Sequence, residues 1–260
     1  MASKERSTNV YSVSGDVVKS IAVPPAFETP FRPDMIKKAV VAAEANRRQP
    51  YGPSKGAGMR HAVSTWGKGR GVARVQRLSQ GRSGAESPNN VTGRRGHPPV
   101  PEKDWSKKMN NKERILARLS ALAAVGDESA VRARGHLFEG ELRFPLVMED
   151  NVQELSATAD VYEALSSIGL EDDLVRAKEG RKIRAGKGTM RNRKYKTPRS
   201  LLLVVSDREA PVFKGAANIL GVEVASVDSL NSSVLAPGGS PGRLTVFSES
   251  ALRQIGEWRA

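Results

Sequence analysis

Leu201-Leu202-Leu203-Val204-Val205 is a run of five consecutive large aliphatic residues. A strand with one face in water alternates apolar and polar side chains. An unbroken run is what a strand covered on both faces requires, as in a parallel sheet. Downstream, Ala216, Ile219 and Leu220, closed by Gly221, predict a helix near 209–220. Strands are predicted over 222–227 and 244–247, and a last helix near 249–258. Strand, helix, strand in this alternation predicts an α/β fold. The expected architecture is an open, mostly parallel sheet flanked by helices, Rossmann-like in its layering.

Upstream of that run the same kind of pattern returns. Residues 144–148 (Phe-Pro-Leu-Val-Met) read as a short strand. Thr158, Val161, Tyr162, Leu165 and Ile168, closed by Gly169, have helical spacing. So do Ile115, Leu116, Leu119, Leu122 and Ala123, ahead of a cap at Gly126. Pro33 suits the first turn of a helix carrying Ile36, Ala39, Val40 and Ala43 and running out near Arg47. Near the N-terminus, Val10 and Val13, then Val17, Ile21 and Val23, flank Gly15-Asp16, which predicts a hairpin.

Between these apolar stretches the charge is concentrated. Residues 47–98 hold 11 Lys/Arg against the single acid Glu86, and residues 176–199 hold another 11 against Glu179. Each segment therefore carries +10, while the whole chain carries +14, so the remainder is mildly acidic. Two concentrated blocks on a body of opposite sign imply a polyanionic partner. In residues 47–108 no apolar periodicity holds, and residues 51–96 contain ten glycines. A structureless stretch of that length inside a domain is functional or disordered. Doubled back, its 52 most basic residues would reach ~86 Å at most. The chain accordingly divides into a globular α/β part (1–46 and 109–260), an extended Gly/Arg-rich loop (47–108) inserted in it, and a second basic segment (176–199).

Composition narrows the chemistry. There are no cysteines, which excludes disulfides and thiolate metal sites and fits a reducing interior. Histidines 61, 97 and 136 are too far apart in sequence to suggest a metal cluster. The first six residues lack a leader's apolar run, and no stretch approaches ~18 apolar residues. A soluble, intracellular protein without membrane contact is expected. Gly186-Lys187-Gly188-Thr189 is not a phosphate loop, because Arg181 stands where the first glycine belongs and Gly188 where the hydroxyl belongs. Asp207 and Asp228 follow strands, where α/β enzymes place their sites, but are expected to be helix N-caps. His136 is expected at the surface or at its boundary with the core. No nucleophile, acid and base assemble, so neither catalytic residues, metal nor cofactor is expected.

The candidate RNA-binding residues in the first segment are Arg47, Arg48, Lys55, Arg60, Lys68, Arg70, Arg74, Arg77, Arg82, Arg94 and Arg95. In the second they are Lys182, Arg184, Lys187, Arg191, Arg193 and Lys194. Flat side chains interleave with them: Tyr51, His61, Trp66, His97 and Tyr195, each able to stack on an unpaired base. Glycine lets the backbone pass close to phosphate and sugar. RNA is the expected polyanion, because a groove of DNA calls for a rigid helix or ribbon.

Several of these stretches resemble a known family. Residues 70–75 (Arg-Gly-Val-Ala-Arg-Val), Gly81-Arg82 and residues 93–99 (Gly-Arg-Arg-Gly-His-Pro-Pro) resemble the extended loop of the L-four family of large-subunit ribosomal proteins. Residues 186–195 (Gly-Lys-Gly-Thr-Met-Arg-Asn-Arg-Lys-Tyr) resemble the second basic stretch of its archaeal and eukaryotic branch, and residues 235–239 and 241–246 its C-terminal signature. Without a long C-terminal extension, the chain is most similar to the archaeal members. Relatives often have Ala where Gly96 stands and another residue at Ser240. The resemblance implies a cytoplasmic ribosomal protein whose globular domain lies on the large subunit, binding large-subunit rRNA early in assembly. It implies neighbouring ribosomal proteins as partners. It also implies that the loop reaches the wall of the polypeptide exit tunnel, with its tip near the nascent peptide. Two other readings remain: an α/β enzyme that modifies nucleic acid, and a free-standing RNA-binding regulator.

Overall fold

The computed structural model describes residues 6–258. The N-terminal residues read above as lacking a leader's apolar run lie, except for Arg6, outside the described residues. In chain order the elements begin with β1 (Ser7–Tyr11), β2 (Val17–Ala22) and α1 (Pro33–Asn46). Two short strands follow, β3 (Val63–Ser64) and β4 (Arg77–Leu78). Next come α2 (Asn111–Val125), α3 (Glu128–Ala133), β5 (Leu146–Met148), α4 (Thr158–Ser167) and α5 (Glu171–Glu179). The chain then makes β6 (Lys182–Ile183), β7 (Tyr195–Lys196), β8 (Leu202–Val205), α6 (Val212–Ala216) and β9 (Glu223–Ser226). It ends with α7 (Ser232–Leu235), β10 (Thr245–Ser248) and α8 (Glu249–Gly256).

Six strands form one sheet in the order β2-β1-β5-β10-β8-β9. β1 and β2 pair antiparallel, and every other pair is parallel. β8 lies between β10 and β9, with Leu203 opposite both Val246 and Val224. Its aliphatic run serves both faces. Leu202 and Val204 pack with Ile36, Val40, Leu122, Leu252 and Ile255 from α1, α2 and α8. Leu201, Leu203 and Val205 pack with Val161, Leu165, Leu174, Val212 and Ala216 from α4, α5 and α6. All five residues of the run are fully buried. The unit is thus a mixed α/β structure, a mostly parallel sheet between two layers of helices.

Two compact units are present, one comprising the chain up to Glu44 and from Lys107 onward, the other Ala45–Ser106. Beyond the last two residues of α1, the second holds the hairpin of β3 and β4, with Val63 opposite Leu78 and Ser64 opposite Arg77.

Some expectations need correction. The helix expected over 209–220 is only Val212–Ala216. Pro211 disfavours helical geometry at Ala210, so the helix starts late. Asp207 is therefore not its N-cap. Its Oδ1 instead accepts from the Glu209 N–H at 3.0 Å in a local turn. Asp228 sits inside a short 3-10 turn, Val227–Ser229. The next cap is Asn231, whose Oδ1 accepts from the N–H groups of Ser233 and Val234. The helix α5 was not foreseen, and it takes Arg176 and Lys178 out of the basic segment as an irregular stretch.

Candidate nucleic-acid interface

The second basic segment is a hairpin standing on a buried ionic base. β6 and β7 pair Lys182 with Lys196 and Ile183 with Tyr195. The Arg184 N–H donates to the Lys194 carbonyl at 2.8 Å, and the Arg193 N–H to the Gly188 carbonyl at 3.0 Å. Between the strands a 3-10 turn, Gly186–Arg191, ends at Asn192 in the left-handed region (φ 57°), which asparagine tolerates better than most residues. Lys182, Lys187, Arg191, Arg193 and Lys194 are exposed. Arg184 is half-buried, its Nε donating to the Arg193 carbonyl at 3.2 Å. Tyr195 is exposed but not bare. The Arg181 guanidinium lies 4.2 Å from its ring centroid and the Lys194 ammonium 5.5 Å. One face of the ring is thus already charged, the arrangement in which cation and ring present a joint stacking surface.

Both ends of the segment are anchored through side chains that sequence reading missed. Asp173, on α5, is fully buried. Its Oδ1 lies 3.1 Å from His136 Nδ1 and accepts from Arg176 Nε at 2.9 Å and from the Leu137 N–H at 3.2 Å. Its Oδ2 accepts from Ser200 Oγ at 2.6 Å. Arg176 also donates to the Arg199 carbonyl at 2.9 Å. Asp173 thereby joins the helix that enters the hairpin to the strand that leaves it. Burial alone would push its carboxyl up. Hydrogen bonds from His136, Arg176 and Ser200, with the positive charge of His136, outweigh burial and hold it well below the usual carboxylate range. His136, expected at the surface or its boundary, is buried. The turn at Gly135 carries the chain beneath α5, and Asp173 supplies the polar partner that burial demands. Nearby, Glu223 Oε2 accepts from Arg199 Nη1 at 3.0 Å and from Arg243 Nη1 at 2.9 Å. Arg243 is fully buried and also donates to the carbonyls of Val234, Ser200 and Leu201.

The unit 45–106 carries the first segment. Arg47, Arg48, Lys55, Arg60, His61, Lys68, Arg70, Arg74, Arg82, Arg94, Arg95 and His97 are exposed. Trp66 and Arg77 are half-buried and touch, the guanidinium lying 5.2 Å from the indole centroid. Arg77 also donates to the carbonyls of Arg82 (2.6 Å) and Ala73 (3.2 Å), so it holds the β3–β4 hairpin together while its neighbours stay free. Tyr51 stacks on Trp105 at 6.1 Å, and Arg48 and Lys103 lie 5.0 and 4.5 Å from the Trp105 ring. Trp105 was not foreseen, although its flanking lysines Lys103 and Lys107 mark the same interleaving.

Electrostatics separates the anchoring cations from the rest. Among the described residues, the cations of the two segments that form ion pairs are Arg176, Arg199 and Lys55. The Lys55–Glu102 pair, at 3.8 Å and highly exposed on both sides, contributes little. Apart from the half-buried Arg77 and Arg184, the others are exposed and form no ion pair among the described residues, which leaves their charge available to an external anion.

The model of the Ribosomal protein L4/L1 family matches residues 21–258. This chain belongs to that family. It is 45% identical over 250 residues to the large ribosomal subunit protein uL4 of Haloquadratum walsbyi, covering 96% of this chain and 99% of that protein. The uL4 proteins of Methanothrix thermoacetophila and Methanococcoides burtonii are 46% and 48% identical, each over 96% of this chain and over 99% and 97% of their own lengths. All three organisms are archaea.

In this member of the L4/L1 family a polar network joins residues that follow β5, β8 and β10. Ser206 Oγ donates to Gln153 Oε1 at 2.9 Å, and Ser250 Oγ to Asp150 Oδ1 at 2.6 Å. Gln153 Nε2 donates to Ser250 Oγ at 2.9 Å, which ties the two pairs together. Among the described residues no group of three or more His, Cys, Asp or Glu could hold a metal ion, and no helix is long and apolar enough to cross a membrane.

Proposed function

We propose that this chain is a structural constituent of the large ribosomal subunit in the cytoplasm. It binds large-subunit rRNA early in assembly, and its body serves as an anchor. Residues 47–108 are the element that enters the RNA and reaches the exit-tunnel wall, with the tip near the nascent peptide. The hairpin at Lys182–Tyr195 is a second RNA contact, and neighbouring ribosomal proteins cover other surfaces. One observation carries the reading: among the described residues, the exposed cations of both segments other than Lys55 and Arg199 form no ion pair with a carboxylate, whereas the buried Arg243 is fully engaged. Phosphates supply the missing counter-charge. The names of the relatives, each a large ribosomal subunit protein, support the same assignment.

The test is photo-crosslinking from positions 70 and 191 within intact subunits, followed by mapping of the linked nucleotides. Crosslinks to large-subunit rRNA from both positions are expected. Absence of RNA adducts at both, or failure of the chain to sediment with large subunits, would overturn the proposal. The second of these outcomes would favour the free-standing regulator.

A further inference from the structure

Within the unit 45–106 lies a pocket of about 640 Å³ whose chemistry differs from the surface around it. Six apolar residues line it: Pro53, Met59, Pro98, Pro99, Val100 and Pro101. Three cations also line it, Lys55, Arg94 and Arg95. Glu102 is the sole acid there, paired loosely with Lys55. The volume falls inside the ~300–1,000 Å³ range of sites that enclose small molecules.

The pocket is built into the backbone. Its two walls, residues 53–59 and 92–102, are brought together by glycines. A Cβ on Gly58, which has φ 77°, would stand 2.5 Å from the Arg94 nitrogen, and one on Gly52 would stand 2.6 Å from the Pro99 carbonyl oxygen. Only hydrogen atoms fit at these approaches. One wall is further curled by turns in which the Ala57 N–H donates to the Ser54 carbonyl and the Met59 N–H to the Gly56 carbonyl. The prolines have no backbone N–H to satisfy, so an apolar lining costs no unmet donors.

A flat apolar ring attached to an anion matches both parts. We propose that this pocket takes one unstacked base of single-stranded RNA. The base would lie against the prolines and Met59, and the adjoining phosphate on Arg94 and Arg95. A methionine side chain against the face of an aromatic ring and a guanidinium on a phosphate are both favourable contacts. The proposal deepens the RNA-binding reading and rests on it. It adds a base-contacting element to an interface otherwise defined by charge, since phosphate contacts position a protein whereas a stacked base requires an unpaired strand.

Two measurements test it on the full chain. In the first, methyl-labelled Met59 and Val100 are followed by NMR during titration with cytidine monophosphate and, separately, with ribose phosphate. The nucleotide should move the Met59 methyl upfield by ring current, and ribose phosphate should leave it in place. In the second, Ala57→Phe fills the cavity without altering charge. It should weaken rRNA binding ~10-fold, in line with loss of one stacked base, and leave the salt slope unchanged. Equal shifts from both small molecules, a Met59 response only to a proline-rich peptide, or native affinity in A57F would each overturn the pocket while sparing the RNA reading. If the native chain ignores rRNA altogether, it is the RNA reading that fails, and the nucleotide titration alone decides the pocket.

Discussion

Asp173→Asn is the most informative single change in the globular unit. The substitution keeps shape and removes charge from a carboxylate that accepts from Arg176, His136, Leu137 and Ser200 and is fully buried. Hydrogen bonds to a charged partner contribute ~1.5–3 kcal/mol each, and neutral ones ~1 kcal/mol. All four bonds end on an ionised acceptor; in the variant those from His136 and Leu137 fall to the weaker class and Arg176 loses its ion pair, while the Ser200 hydroxyl can rotate to accept from the new amide. The expected loss is therefore ~2–3 kcal/mol at neutral pH, measured by urea unfolding followed by circular dichroism. The pH dependence has a definite sign. The carboxyl of Asp173 is held below its unfolded value of ~3.9. Its contribution is thus fully present above ~3.9 and is lost as pH falls through the lower folded value. The stability gap between native and variant should shrink on acidification below ~4. Hydrogen exchange at the Arg184 and Arg193 amides should also accelerate, because the hairpin stands on this anchor. A gap below ~0.5 kcal/mol, or one that does not change between neutral and acid pH, would refute the role given to Asp173.

Arg243→Met removes the fully buried guanidinium from Glu223 and three carbonyls, and should cost ~3 kcal/mol by the same unfolding assay, the lower end for a broken buried pair because Arg199 still holds Glu223. Replacing Arg191, Arg193 and Lys194 together by Ala should leave the melting temperature nearly unchanged and reduce the salt slope of rRNA binding by ~2–3, as three phosphate contacts require. Excision of residues 55–95 should leave one cooperative unfolding transition, since both apolar clusters draw almost entirely on residues outside it; calorimetry showing a broad, non-cooperative melt would contradict this.

The sheet could be read from the sequence because burial on both faces leaves a local mark. Leu201–Val205 serves two clusters with alternate residues, and no other arrangement uses five aliphatics in a row so fully. The basic segments were equally legible, since composition alone displays them. The anchors were not. Asp173 follows two exposed acids, Glu171 and Asp172, and nothing in its neighbourhood distinguishes the one that turns inward. Its partners His136 and Ser200 lie 37 and 27 residues away, so their meeting is a product of the tertiary fold. Asp207 and Asp228 were misread as caps for a related reason: the strand ends were placed correctly, but Pro211 and a 3-10 turn delayed the helices. Arg77 and Trp66 looked like contacts to a partner and also touch each other, a pairing that only the β3–β4 register brings about.

The claim on which the rest depends is that cations without carboxylate neighbours meet RNA phosphates. Equilibrium binding of the full chain to large-subunit rRNA, measured across a range of salt concentrations, tests it directly. If about ten of these side chains engage, log affinity should fall against log salt with a slope of about −7 to −9. Failure to bind in dilute buffer, or binding with a slope near zero, would contradict it.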